Sequence, residues 1–311
     1  MAELISLGVN DFKEVFGEIT DRVARKIQEV NLQYWKLTSE ERDEVIRHII
    51  EDLLGSELEV VGEHRRARWE EGWSKNLTAL KQGEEDSIVP YYFRKDAIAR
   101  WRQEFIKPAR PGFDRGGLSI IMEWLFEEYM KDAPMVCEFG CGTGHHLLQL
   151  RSVNPHAKLV GLDWTETSQN IIQEMVRQGK IDNVEGRRFD FFEPDDSFVP
   201  IKGSVIYTVG ALEQVGNRHG AFVDYLLRAR PALCVHVEPI AELLDPDNLT
   251  DYLAIEYFKK RNYLSGFLTN LRARESAGQL DGHVAMRTYL GGNMYVDHYS
   301  VIIWSLADVE K

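Results

Sequence analysis

The sequence predicts an α/β protein: a mostly parallel sheet with helices on both faces, preceded by a helical segment. Three observations carry that reading. From residue 134 onward, short β-rich runs alternate with amphipathic stretches, as in a parallel sheet wrapped by helices. Before residue 131, apolar residues recur at spacings of three and four. One glycine-rich turn, Gly140 to Gly144, lies between an expected strand and an expected helix, where open α/β sheets place their ligand loops.

The elements follow in order. Within residues 11–30, Phe12, Val15, Phe16, Ile19, Val23 and Ile27 form one apolar helix face. Ser39 is the expected cap of a helix running to about Leu54, with Gly55 as its stop. A third helix is expected over 62–81, with Trp69 and Trp73 four apart on one face. Residues 82–96 read as a loop, 97–106 as a short helix holding Trp101, and 117–131 as one more amphipathic helix after the turn at Pro108 and Pro111. Strands are expected at 135–139, 158–163, 184–189, 204–209 and 232–238, with helices at about 144–153, 166–179 and 218–230. A helical region at about 248–276 precedes two final strands, 284–290 and 298–305. These flank a connection short enough for a hairpin and would add an antiparallel pair to the sheet. The chain divides on this reading into a helical part, residues 1–131, and a sheet domain, residues 132–311.

Composition narrows the function classes. Of 311 residues, 37 are Lys or Arg and 50 are Asp or Glu, a net charge of −13. Nonspecific nucleic-acid binding needs clustered cations and is not expected. No apolar run approaches the ~20 residues of a membrane-crossing helix. The opening residues lack a cationic region ahead of an apolar core, so no secretory leader is expected. Cys137, Cys141 and Cys234 cannot all pair; they suit small buried fillers in a reduced cytoplasm. No metal site is expected, since the adjacent His145 and His146 have the wrong spacing for two ligands from one helix face.

The glycine turn reads Glu138-Phe139-Gly140-Cys141-Gly142-Thr143-Gly144, and the next strand ends in Gly161-Leu162-Asp163. Glycines there let the backbone turn sharply and let a ligand approach it closely. Asp163 lies nineteen residues past Gly144, near the spacing of a carboxylate that bonds a ribose hydroxyl. Together these features predict a site for an adenosyl ligand. The GxGxG spacing preceded by an acid resembles motif I of class I S-adenosylmethionine-dependent methyltransferases. The resemblance covers about 134–305 and takes in Arg188-Phe189-Asp190-Phe191 after the third strand and the segment from Thr208 to Gln214 after the fourth. It implies a Rossmann-like fold with a seven-stranded, mostly parallel sheet, a C-terminal antiparallel strand and an N-terminal helical lid. It implies S-adenosylmethionine as cofactor, with Gly140, Gly142 and Gly144 lining it, Asp163 taking the ribose hydroxyls and Asp190 the adenine amine. Glu138, Phe139, Trp164, Phe191 and Thr208 complete the cofactor set from the same motifs.

Further segments resemble bacterial methyltransferases of surface-polysaccharide or secondary-metabolite clusters. They are Trp69-Glu70-Glu71-Gly72-Trp73, Pro90-Tyr91-Tyr92-Phe93-Arg94, Asp163-Trp164, Ala211-Leu212-Glu213-Gln214, His236-Val237-Glu238-Pro239 and Tyr299-Ser300-Val301. This implies methyl transfer to an oxygen or nitrogen of a small-molecule acceptor. A related branch cyclises the cofactor's own tail to azetidine-2-carboxylate and releases methylthioadenosine. A non-catalytic cofactor-binding scaffold is a third reading. Candidate catalytic groups lie at the carboxyl ends of the strands: His145, Glu213 and Glu238. Adjacent helical residues diverge by about 100°, so at most one of His145 and His146 should face the pocket. His236 shares Glu238's side of its strand and reads as a core histidine. Arg94 can pair bidentately with the cofactor's carboxylate, and Tyr92 can shield its sulfonium. Trp69 and Trp73 read as packing residues. The expected partner is a small molecule, with neither nucleic acid nor membrane, and a homodimer is compatible with the sequence.

Overall fold

The computed structural model describes residues 3–94 and 98–307, the Arg94 side chain excepted. The chain begins with β1 (Leu4–Ser6), α1 (Val9–Phe16), α2 (Asp21–Val30) and β2 (Gln33–Lys36). The apolar stripe over 11–30 is thus split between two helices. It breaks at Gly17 and restarts where Thr20 caps α2 by accepting the Val23 N–H. Helix α3 (Ser39–Leu54) follows, and its cap is Thr38 rather than Ser39. Thr38 Oγ1 accepts the Glu41 N–H at 3.2 Å, and Glu41 Oε2 accepts the Thr38 N–H at 2.9 Å. Such a reciprocal box is worth about 1 kcal/mol. A 3-10 turn (Glu63–Arg65) leads into α4 (Arg66–Lys81), and a second covers Tyr91–Arg94.

The first third is not wholly helical. Where a short helix is expected over 97–106, the chain forms β3 (Ala99–Trp101) and enters β4 (Glu104–Pro108). The two strands pair antiparallel through Arg102 and Gln103, both at positive φ. Two such residues make the hairpin turn that matches strand twist, a turn usually signalled by Asn or Gly. Arg-Gln carries no such signal. Helix α5 (Phe113–Leu125) then runs into a wider π turn (Phe126–Met130).

From β5 (Met135–Phe139) onward the alternation holds: α6 (His145–Val153), β6 (Lys158–Asp163), α7 (Glu166–Arg177), β7 (Val184–Arg188), β8 (Val205–Val209), α8 (Gly220–Ala229) and β9 (Leu233–Glu238). Then come α9 (Leu249–Arg261), α10 (Phe267–Ser276), β10 (Leu280–Met286), β11 (Leu290–Gly291) and β12 (Ser300–Leu306). The large sheet has the order β10-β12-β9-β8-β5-β6-β7. β12 alone runs opposite to the other six strands. This is the seven-stranded Rossmann-like sheet that the sequence predicts. Strand order reverses between β5 and β8, so a crevice opens at their carboxyl ends.

β10 and β12 pair but do not form a tight hairpin. Residues 287–299 leave the sheet, and β11 pairs with β3. This completes a second, antiparallel sheet of order β1-β2-β4-β3-β11, which draws strands from both ends of the chain. A buried ionic cluster fastens that crossover. Arg100 Nη2 lies 2.9 Å from Asp251 and Arg100 Nε 3.1 Å from Asp297; Arg287 reaches the same two carboxylates at 2.6 and 2.5 Å.

Strand parity positions the site. One face of the large sheet, with Val136, Leu159, Tyr207 and Val237, packs against the N-terminal helices. The other, with Cys137, Phe139, Leu162 and Ile206, packs against Phe222, Leu226 and Phe267 of α8 and α10. Successive strand residues point to opposite faces. Glu138 and Asp163 therefore fall on the face that the N-terminal segment covers. Phe139, Thr208, His236 and Glu238 fall on the other. Among the described residues no helix is long and apolar enough to cross a membrane.

Candidate functional site

At the carboxyl ends of β5, β6 and β8, the glycine turn meets Asp163-Trp164, Phe191-Phe192 and the segment from Val209 to Val215. Residues of α4 and of the Tyr91–Arg94 turn close over them. They border a space of about 700 Å³, open mouth included.

The glycine turn is tied to the next strand. The Gly140 and Cys141 N–H groups both donate to the Leu162 carbonyl, at 2.7 and 3.0 Å. Asp163 Oδ2 accepts the Gly142 N–H at 3.0 Å, while Oδ1 accepts the Thr165 N–H and hydroxyl at 2.9 and 2.7 Å. A carboxylate offers about four acceptor positions, so Asp163 keeps capacity for a ligand. Gly140 and Gly142 sit at positive φ with no room for a side chain. A Cβ would lie 2.3 Å from that of Ala211 and 2.8 Å from the Trp73 ring, respectively. The missing side chains admit protein neighbours, the lid helix among them.

Glu138 reaches the cavity with both oxygens engaged: Tyr207 donates its hydroxyl at 3.0 Å, and His146 Nδ1 lies at 2.9 Å. His145 and His146 both line the cavity, against the expectation that at most one could. Side chains in the first turn of a helix lean toward its N-terminus, and here the two rings meet with centroids 3.8 Å apart. His145 Nδ1 is 3.2 Å from Thr143 Oγ1. Burial, then the neighbouring His146 and Arg115, hold the His145 pKa well below the usual histidine value. The imidazole is therefore neutral at pH 7. The same pair borders a second groove, formed by α2, the 83–89 loop, α5 and α6.

Trp69 and Trp73, expected as packing residues, stand in the cavity wall with Tyr92. Helical spacing identifies a shared face but not what that face meets. Trp164, Phe191, Gly140 and Gly142 also line the cavity, as does the buried Cys141.

Six expected site residues lie outside that wall, Glu213 among them. Phe139 packs against Phe189 and Phe222 on the far face of the sheet. Thr208 Oγ1 bonds His236 Nδ1 at 3.0 Å on the same face. Gly144 opens α6 at φ +71°. Asp190 pairs with Arg66 and accepts the Phe192 N–H at 3.0 Å. Glu238 accepts the N–H groups of Ala211, Leu212 and Glu213 at 3.0, 3.1 and 3.3 Å, so it shapes the segment bordering the cavity from beneath. Burial pushes its pKa up to about 8. The Arg94 side chain lies outside the described residues. Among those residues, no group of three or more His, Cys, Asp or Glu side chains could hold a metal ion.

Glu213 also stands off the wall and accepts a bond from Gln214 Nε2 at 2.7 Å. Burial pushes its pKa up to about 7. Between about pH 4.5 and 7 the folded state thus keeps a proton that the unfolded state has lost, and stability falls as pH rises. Glu213→Gln removes this term. The variant should gain about 2 kcal/mol relative to the parent between pH 5 and 8 in urea unfolding. A difference independent of pH would contradict the assignment.

A family model described as a methyltransferase domain matches residues 131–223. No curated protein matches the chain. Among solved structures, the chain is similar to the [4+2]-cyclase SpnF at 12% identity, with 82% of this chain and 100% of that one covered and a TM-score of 0.49. It is similar to PigF with SAH at 12% identity, covering 86% and 68%, with a TM-score of 0.47. Human N-acetylserotonin methyltransferase in complex with SAM gives 11% identity, 99% and 79% coverage and a TM-score of 0.48.

Proposed function

We propose that the protein transfers a methyl group from S-adenosylmethionine to a small-molecule oxygen or nitrogen, a reading supported by the match of residues 131–223 to a methyltransferase-domain model. The observation that carries the reading is the Asp163 carboxylate, tied to the glycine turn at a cavity wall with acceptor capacity to spare. The remaining wall fits the same group. Its described residues include the carboxylates of Glu138 and Asp163 but no Arg or Lys, which suits a cation. Trp69 Nε1 is buried without a partner, a donor in reserve for a ligand.

Bound there, the cofactor supplies a methyl group activated by a sulfonium. The chain's own residues position it and handle the proton. Asp163 takes the ribose hydroxyls, and Trp164 and Phe191 flank the adenosyl end. An acceptor comes in along the groove that shares His145 and His146 with the cavity. His145, neutral and facing the cavity, takes the proton that an oxygen or nitrogen gives up on methylation. Glu138 holds the adjacent His146, whose ring meets that of His145. The resemblance read from the sequence would make the acceptor a small molecule of bacterial polysaccharide or secondary-metabolite biosynthesis.

A second reading, cyclisation of the cofactor to azetidine-2-carboxylate and methylthioadenosine, is favoured by the closeness of the lid. Trp73 lies so near Gly142 that a Cβ there would clash with it, leaving little space for an acceptor on that side. Incubation of the purified protein with S-adenosylmethionine alone, with products identified by mass spectrometry, separates the two. Intact cofactor or co-purified S-adenosylhomocysteine is expected for methyl transfer. Methylthioadenosine with a cyclic amino acid, above the spontaneous background, would replace that reading with cyclisation. No detectable binding would defeat both.

A further inference from the structure

Either reaction at the cavity leaves one proton to dispose of. An oxygen or nitrogen that takes the methyl group gives one up, and so does the cofactor's own amine when it closes a ring. His145 can accept that proton but cannot keep it, because burial, His146 and Arg115 hold its pKa well below the usual histidine value. Turnover therefore calls for a second carrier that reaches bulk water.

His146 has the arrangement for that task. It is buried, yet it borders both the cavity and the groove formed by α2, the 83–89 loop, α5 and α6. Its Nδ1 lies 2.9 Å from Glu138 Oε1, and the Tyr207 hydroxyl donates to Glu138 Oε2 at 3.0 Å. Burial and the adjacent Glu138 hold the Tyr207 pKa well above its usual value, so the phenol stays a donor. A carboxylate only accepts hydrogen bonds, so the contact with Glu138 places the neutral His146 proton on Nδ1. Nε2 is left with its lone pair and with no hydrogen-bond partner among the described residues. A carboxylate behind an imidazole both fixes the tautomer and stabilises the imidazolium that forms when the far nitrogen takes a proton.

The groove supplies the outlet. Arg25 and Lys26 of α2 and Glu84 and Glu85 of the loop stand on its walls, and charged walls hold water. On the lid side, Trp73 packs against the glycine turn, and an indole N–H donates but has no acceptor site for a proton.

Taking the cavity to be the S-adenosylmethionine site, we propose that Glu138 and His146 form a proton exit from the cavity to the groove. His146 Nε2 takes the proton that His145 cannot keep and becomes an imidazolium held by the Glu138 carboxylate. It then returns the proton to water in the groove, which restores the imidazole with its proton on Nδ1.

Nitrogen-15 spectra of histidine-labelled protein with S-adenosylhomocysteine bound report the tautomer. His146 should carry its proton on Nδ1; a proton on Nε2 would overturn the proposal. Diethyl pyrocarbonate, which attacks an imidazole nitrogen bearing a lone pair, tests the path. With S-adenosylhomocysteine filling the cavity, peptide mass spectrometry should find His146 modified about as fast as in the unliganded protein. Glu138→Gln should slow that modification several-fold, since the tautomer is no longer enforced. Protection of His146 by S-adenosylhomocysteine, or no modification in either state, would close the route and overturn the proposal. In the turnover that the cofactor incubation reveals, His146→Asn should lower kcat about 100-fold while KM for S-adenosylmethionine changes little. An unchanged kcat in that folded variant would also overturn it. Each of these negative results leaves the cofactor reading standing, whereas failure of S-adenosylhomocysteine to bind the parent protein would overturn that reading and the exit together.

Discussion

Asp251→Ala should destabilise the fold by about 3–5 kcal/mol, the usual cost of removing one partner from a buried ion pair. Asp251 is fully buried and serves more groups than any other acid in the cluster. It takes bonds from Arg100 and from both terminal nitrogens of Arg287. It also accepts Gln103 Nε2 at 2.8 Å and the Asp245 N–H at 3.0 Å. Without it, two buried guanidinium groups face Asp297 alone. The pair does not earn its value from attraction, since desolvation offsets most of that; the cost arises from the charges left uncompensated. Asp251→Asn keeps the shape and some hydrogen bonds and should fall between parent and alanine variant. Urea unfolding with an unchanged slope checks the values. A loss below about 1 kcal/mol would mean that water or a shifted side chain neutralises the arginines, and that the cluster does not secure the crossover.

Asp163→Ala should weaken S-adenosylmethionine binding about 10- to 100-fold, the worth of charge-assisted hydrogen bonds to a ligand plus a loosened glycine turn. The second contribution comes from the fold. The carboxylate accepts the Gly142 N–H and two donors of Thr165, so its removal frees three groups that now shape the cavity wall. The ribose is common to the cofactor and its thioether product. Both should therefore weaken by the same factor. Equilibrium titration of a variant shown to be folded by circular dichroism measures this. Unchanged affinity would remove the cofactor from this cavity.

Much of the fold was legible in local pattern. β5, β6, β8, β9 and β12 of the large sheet are mostly apolar runs, a signal that needs no distant partner, while the edge strands β7 and β10 are more polar. The small sheet was not legible, for physical reasons that differ by strand. β1 has three residues and β11 two, too few to establish a period of two. The β3–β4 hairpin turns on Arg102 and Gln103, residues that advertise no turn and are held at positive φ by the pairing around them. Thr38, not the expected Ser39, is the cap, because Thr38 with Glu41 is the pair that has capping-box spacing.

The sequence by itself determined the glycine turn, the acid nineteen residues beyond it, and the strands that carry both. Each depends on neighbours along the chain, so spacing records it. Only the tertiary structure decided which residues of those strands share a cavity. Alternation says that Glu138 and Phe139 point opposite ways, but it does not say which face the N-terminal segment will cover. Packing made that choice, and it took Thr208 and Glu238 away from the wall while leaving Glu138 and Asp163 in it. It also brought Trp69, Trp73 and Tyr92 over a turn some fifty to seventy residues later in the chain. A contact across such a distance forms when separate apolar faces are buried together, and no local spacing encodes it.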